Sequence, residues 1–107
     1  MKIVYICHPI SGDVKGNIKK VTDIVRKINL EEPGFVPFAP YIVDLMALHD
    51  DVPFERARGI RNNITHFHKG IIDEVRVFGE KVSKGMAAEI ELATKLNIPV
   101  FYADERF

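Results

Sequence analysis

The sequence predicts an α/β domain, a small flavodoxin-like or Rossmann-like three-layer sandwich around a parallel sheet of four to five strands. Short apolar runs rich in β-branched residues alternate with segments of helical periodicity along the whole chain. Such runs are typical of parallel strands that are buried on both faces. The 107 residues contain no internal repeat and no linker, so we expect one domain over residues 1–107.

The first half of the chain predicts two strands and a long helix. Residues 2–7 (KIVYIC) read as a buried strand, and the polar loop 8–13 (HPISGD) follows it. Asp13 is placed to N-cap the helix that comes next. The apolar stripe of that helix consists of Ile18, Val21, Val25 and Ile28. Residues 35–38 (FVPF) predict a second strand, and Pro37 favours an edge position.

The second half predicts three helices and two strands. A short helix is expected near residues 44–48, and Pro53 suits the first turn of a longer one. We expect the buried stripe of the longer helix to be Phe54, Ala57, Ile60, Ile64 and Phe67. Residues 71–78 contain the third strand, residues 83–96 form a helix, and residues 98–102 form the fourth strand.

The totals exclude several classes of protein. Lys plus Arg and Asp plus Glu number 15 each, so we expect no nucleic-acid partner that depends on phosphate neutralisation. No segment reaches the ~18 apolar residues of a membrane span, and the first residues lack a signal-peptide pattern. The single cysteine, Cys7, favours a reducing compartment. We therefore expect a cytoplasmic protein without a membrane partner.

A functional site is expected at the carboxyl ends of the strands, where open α/β sheets bind their ligands. Three loops meet these ends: HPISGD after Cys7, APYI after Phe38 and GEKVSKG after Phe78. The last loop leads into a helix N-terminus, whose free amides favour an anion. Ser83 adds a hydroxyl there, which suits either a simple N-cap or a phosphate site.

Glu89 is the most informative residue in the last helix. At 100° per residue it falls inside the apolar arc, between Leu96 and Ala93, while Lys84 and Lys95 fall on the opposite side. A carboxylate that points toward a sheet is costly unless it has a partner or a chemical role. Burial should raise its pKa and a nearby donor should lower it. The alternative is a glutamate that pairs with an arginine or a hydroxyl and only fixes the packing.

Three stretches resemble the nucleoside 2-deoxyribosyltransferase-like superfamily, and within it the small DUF4406-like domains of phages and bacteria. They are YICHPISGD at residues 5–13, PFAPY at residues 37–41 and, most specifically, residues 73–100. The resemblance covers nearly the whole chain. It implies a single nucleoside 2-deoxyribosyltransferase-like domain that cleaves or exchanges the N-glycosidic bond of a nucleoside or nucleotide. It also implies that Glu89 is the nucleophile that attacks the anomeric carbon.

A finer resemblance points to the deoxynucleoside 5′-monophosphate N-glycosidases. Their first strand and loop are matched by Tyr5, Cys7 and Gly12, and their Ser-x-Gly-x-x-x-Glu helix start by Ser83, Gly85 and Glu89. In those enzymes the serine contacts the 5′-phosphate, whereas the transferases of unphosphorylated nucleosides typically carry aspartate there. The resemblance therefore implies a nucleotide in preference to a nucleoside.

The chain departs from this pattern at two places. Ser11 stands where the glycosidases use an arginine, and residues 58–70 hold no acid where they use an aspartate. Asn62 or Asn63 could take that place, but an amide cannot act as a general acid at neutral pH. This departure favours a second hypothesis, a catalytically inactive nucleotide-binding module. A purely structural domain is a third, which a carboxylate in the apolar arc speaks against.

The expected site is as follows. The catalytic residues are Glu89 and Tyr5. The substrate-binding residues are His8, Ser11, Gly12, Asp13, Asn63, Ser83, Gly85 and Met86. Tyr5 could instead be a core residue, and His8 a structural loop residue. No metal is expected, because His66 and His68 lie two apart and diverge on a helix. The reaction that the resemblance implies requires no organic cofactor, so none is expected. We expect a homo-oligomer that binds a small nucleotide or nucleoside.

Overall fold

The computed structural model describes residues 1–103, and it confirms the predicted α/β class with four strands and four helices in that range. In chain order the elements are β1 (Lys2–Cys7), α1 (Val14–Glu31), β2 (Phe35–Phe38), α2 (Tyr41–Ala47), α3 (Pro53–His68), β3 (Glu74–Val77), α4 (Lys84–Lys95) and β4 (Val100–Tyr102). Every predicted strand and helix is present, with boundaries that differ by a few residues.

The four strands form one parallel sheet in the order β2-β1-β3-β4. The chain leaves β1 toward one side to form β2 and then crosses to the other side to form β3, with Tyr5 opposite both Phe38 and Val75. A crevice opens where the strand order reverses in this way, between the carboxyl ends of β1 and β3. The edge position that Pro37 predicts for β2 is confirmed.

Helices cover the sheet on both faces, so the predicted three layers are confirmed. Alternate residues of β1 point to opposite faces, as the pleat of a strand requires. Val4 and Ile6 pack in the cluster on the α1 side, whereas Tyr5 and Cys7 pack in the cluster on the side of α3 and α4. The periodicity of β1 therefore places the Tyr5 hydroxyl and the Cys7 thiol beside α4.

Polar caps define where α1 and α4 begin. The Asp13 side chain accepts a hydrogen bond from the Gly16 amide at 3.1 Å, and the Ser83 hydroxyl accepts one from the Met86 amide at 3.3 Å. The Met86 sulfur in turn accepts from the Ser83 amide at 3.5 Å. Because these caps satisfy free amides of the first turn, they start both helices at the predicted residues.

The apolar stripe predicted for α3 is buried only at its last member, Phe67. Phe54 is 82% exposed and Ile60 is 51% exposed. The reason is length: a 16-residue helix extends over about 24 Å, whereas a four-residue strand extends over about 13 Å. The amino-terminal half of α3 therefore projects beyond the carboxyl edge of the sheet, where its apolar side chains meet a cleft and the surface.

Candidate active site

An open cleft of about 830 Å³ lies between α2, α3 and α4, at the carboxyl edge of the sheet. Its size is that of a site for a small organic molecule. The apolar part of its wall is formed by Leu45, Leu48, Ile60, Ile64 and Leu92. The polar part brings together loops and helices that are far apart in sequence, as the strand topology predicts. The cleft suits a ligand with one flat apolar portion and one polar portion.

Glu89 lies in the wall of this cleft, in the second turn of α4. Its carboxylate accepts hydrogen bonds from the Tyr5 hydroxyl, from the Asn63 amide at 2.8 Å and from the Cys7 thiol at 3.5 Å. The Asn63 amide also donates to the Tyr5 oxygen at 2.7 Å. The three donors come from β1 and α3 and are all neutral, so the carboxylate is held without a cation among its hydrogen-bond partners.

The two oxygens of the Glu89 carboxylate differ in their surroundings. Oε2 accepts from both Tyr5 and Asn63, whereas Oε1 accepts only from the Cys7 thiol, a weak donor. Oε1 therefore keeps more of its lone-pair capacity for a molecule in the cleft. The carboxylate is held mainly through Oε2, and Oε1 is the less occupied oxygen.

The pKa of Glu89 is raised by burial, while its bonds to Tyr5, Cys7 and Asn63 act in the opposite direction. Burial and the adjacent Glu89 carboxylate raise the pKa values of Tyr5 and of Cys7. Both groups therefore remain protonated donors at neutral pH. A nucleophilic Cys7 thiolate is excluded, because thiolate formation beside a buried carboxylate is unfavourable.

A polar end of the cleft is formed by the loop after β1 and the start of α4. His8, Ser11, Ser83 and Gly85 all line it. A side chain at Gly85 would meet nothing within 4 Å, so the first turn of α4 faces open space. The free amides and the dipole of this 12-residue helix favour an anion at this end.

The structure separates the predicted site residues into three groups. Those that line the cleft are His8, Ser11, Asn63, Ser83, Gly85, Met86 and Glu89. Tyr5 is fully buried and contacts the site through its hydrogen bonds with Glu89 and Asn63. Gly12 and Asp13 do not line the cleft, because Asp13 caps α1 and Gly12 forms the preceding turn with a φ of 93°.

The amide that stands beside Glu89 is that of Asn63, whereas the neighbouring Asn62 turns toward α2. Asn62 donates to Oδ2 of Asp44 at 3.2 Å and accepts from Arg58 Nε at 3.0 Å. Asp44 also lines the cleft and was missed in the sequence. Its position just after the APYI loop, on a short helix at the carboxyl edge, was the available signal.

Among residues 1–103, no three metal-binding side chains come together in a way that could hold an ion. Over the same range, no helix has the length and apolar character that crossing a membrane requires.

The fold and the cleft define an α/β domain of flavodoxin-like topology with a buried carboxylate at its strand ends. The model of the family "Domain of unknown function (DUF7768)" matches residues 2–103, so the chain belongs to that family. The more specific expectation of a DUF4406-like domain is not shown.

The chain also shares its fold with a solved 2-deoxyribosyltransferase from the psychrotolerant bacterium Bacillus psychrosaccharolyticus. The two are 19% identical, with a TM-score of 0.68 over 94% of this chain and 70% of the other. This likeness shows that the two chains share a fold. Comparison with curated protein sequences gives no match.

Proposed function

We propose that the protein binds a deoxynucleoside 5′-monophosphate and cleaves or exchanges its N-glycosidic bond with Glu89 as nucleophile. The observation that carries this proposal is a buried carboxylate held by three neutral donors, with its Oε1 atom the less occupied, in the wall of a cleft of nucleotide size. A structural glutamate would be expected to accept from strong donors at both oxygens or to pair with a cation.

The reaction requires few groups from the protein. Glu89 Oε1 forms a bond to the anomeric carbon as the bond from that carbon to the base nitrogen breaks, and the electron pair leaves with the base. The base takes a proton from solvent, and water or a second base then displaces the glycosyl ester. The transition state resembles an oxocarbenium ion, which an adjacent carboxylate stabilises.

The polar end of the cleft suits the 5′-phosphate. Ser83 and Gly85 open the first turn of α4, and Ser11 and His8 lie across from them in the loop after β1. Helix amides and hydroxyl groups there can donate to phosphate oxygens, whereas an aspartate in place of Ser83 would repel them. This arrangement supports a nucleotide over a nucleoside.

A second candidate is a nucleotide-binding module that does not turn over. The amide of Asn63 favours it, because it stands beside Glu89 and cannot donate a proton to a leaving base at neutral pH. Binding would then use the same cleft, and only the release of free base separates the two functions.

We also propose that the protein is a homo-oligomer with α3 at the contact between copies. Phe54 and Ala57, the outer members of the predicted stripe, are exposed in the single chain and lie outside the cleft, whereas Ile60 and Ile64 line the cleft. A second copy that placed the same stripe against this one would bury apolar surface on both chains, and a two-fold contact is the commonest arrangement.

Thermal unfolding in the presence of nucleosides and of their 5′-monophosphates, with free base measured chromatographically in the same samples, tests this proposal. A ligand at a hundred times its Kd should add about 2.7 kcal/mol to the free energy of unfolding. We expect the deoxynucleoside 5′-monophosphates to stabilise the protein more than the nucleosides, and Ser83→Asp to remove that difference. Stabilisation without base release would support the binding module, and no stabilisation by any compound would contradict both.

A further inference from the structure

Asp44 lines the portion of the cleft between α2 and α3, whose wall combines apolar side chains with the charged Asp50, Glu55 and Arg56. It lies on α2 beside Leu45, and Leu48 and Ile60 line the same portion. A carboxylate in such a wall faces either solvent or a ligand. The reaction proposed for Glu89 gives Asp44 no part, so its position calls for a separate explanation.

A relay of hydrogen bonds holds the Asp44 carboxylate in one orientation. Arg58 Nε donates to Oδ1 of Asn62 at 3.0 Å, which fixes the amide so that Nδ2 donates to Asp44 Oδ2 at 3.2 Å. Among residues 1–103, no side-chain or backbone donor reaches the other oxygen, Oδ1. The relay therefore occupies one carboxylate oxygen and leaves one acceptor available at the cleft.

Two adjacent asparagines on α3 relate Asp44 to Glu89. Asn62 donates to Asp44 and Asn63 donates to Glu89, and successive helical residues point about 100° apart. The two carboxylates therefore line different parts of the same cleft, whose wall also includes Ile60 and Ile64 of α3. A ligand whose reacting carbon lies at Glu89 and whose phosphate lies at the start of α4 would extend its remaining flat group along that wall toward Asp44.

We propose that Asp44 selects the nucleobase, by accepting a hydrogen bond from an exocyclic amino group at its outer edge. An ionised carboxylate accepts hydrogen bonds and cannot donate them. It therefore favours an amino group and repels the carbonyl oxygen that an oxo base carries at the same position. This assignment rests on the proposed function, since it places a nucleotide in the cleft with its anomeric carbon at Glu89.

Matched pairs of bases test the assignment, because the members of each pair differ at one ring carbon, which carries an amino group in one and an oxo group in the other, and at the adjacent ring nitrogen, which carries a hydrogen only in the oxo member. The deoxynucleoside 5′-monophosphates of cytosine and uracil, and of adenine and hypoxanthine, are titrated into the wild-type protein by calorimetry. A hydrogen bond to a charged group contributes enough to predict a preference of about tenfold or more for the amino member. Asp44→Asn should reduce the preference to less than about threefold.

Glu91→Gln is the control, because it removes a carboxylate that also lines the cleft but forms an ion pair with Lys95. It should leave the amino preference unchanged. Asn62→Ala is a second variant that can be used if Asp44→Asn does not fold. It keeps the charge of Asp44 but removes the hydrogen bond that orients its carboxylate, so it should weaken the preference for the amino member. Equal wild-type binding of amino and oxo members would overturn the role of Asp44 and leave the proposed function standing. Binding of none of the four would instead overturn the proposed function.

Discussion

At the level of single residues, three neutral side chains control the ionisation of one buried carboxylate. Tyr5, Asn63 and Cys7 offset part of the cost of burying Glu89, and none of them can neutralise its charge by proton transfer at neutral pH. A lysine or arginine in the same place would stabilise the carboxylate further and make it a weaker nucleophile. The arrangement keeps Glu89 both ionisable and reactive.

The position of Glu89 could be predicted from the sequence, but its partners could be predicted only in part. A helical wheel reports which residues share a face, and Glu89 falls on the apolar face of α4. It does not report which side chain on α3 points at that face, so Asn62 and Asn63 could not be distinguished. The wheel also does not report that the Tyr5 hydroxyl, buried on β1, donates to Glu89.

Tyr5→Phe should raise the pKa of Glu89 further, because the hydroxyl bond that favours the ionised form is lost. Attack requires the ionised form, so the acidic limb of any activity profile should move to higher pH. The titration of the Glu89 carboxyl carbon, followed by NMR, measures the shift directly and does not require turnover. Tyr41→Phe is the matched control, because the Tyr41 hydroxyl donates to the Ile6 carbonyl at 2.5 Å and forms no hydrogen bond to Glu89. An unchanged or lowered Glu89 pKa in Tyr5→Phe would contradict the role of the hydroxyl.

At the scale of elements, the loop between β3 and α4 sets the start of the helix that carries Glu89. Gly79 begins this loop with a φ of 100°, a conformation that other residues rarely adopt. A Cβ there would lie 3.1 Å from Cγ of Pro9, in the loop that follows β1. The glycine therefore allows the two loops to approach each other at the carboxyl edge of the sheet.

Gly79→Ala should lower the free energy of unfolding by about 1–3 kcal/mol, from backbone strain and from the contact with Pro9. Gly85→Ala is the comparison, because a methyl group there meets nothing within 4 Å and alanine is the better helix former. It should leave stability equal or raise it. Urea unfolding of both variants measures the difference. Equal destabilisation by the two substitutions would contradict the distinction.

At the scale of the whole molecule, the fold could be predicted because the strands are buried on both faces and the helices are amphipathic. The exposure of the apolar stripe of α3 could not be predicted from the sequence. Hydrophobic periodicity indicates that one face of a helix is buried, but it does not indicate which surface packs against that face. In one chain, α3 extends past the sheet and leaves the stripe uncovered. The burial predicted for this stripe would be recovered if a second copy of the chain packed against it.

Phe54→Asp should convert the proposed oligomer to a monomer, because it places a charge on the most exposed large apolar side chain of the proposed contact. Phe54 does not line the cleft, so nucleotide binding within one chain should be affected less than assembly. Leu30→Asp is the control, since Leu30 is also exposed but lies near the end of α1. Sedimentation velocity at micromolar concentration distinguishes the species. A wild-type protein that sediments as a monomer would contradict the proposed contact.

The central claim is that Glu89 attacks the anomeric carbon, and the most direct test is the release of free base from deoxynucleoside 5′-monophosphates. The wild-type protein and the Glu91→Gln control should release base at similar rates. Glu89→Gln, which keeps the shape of the side chain and removes its charge, should lose activity by about a thousandfold or more. Base release by Glu89→Gln at the wild-type rate would contradict the account.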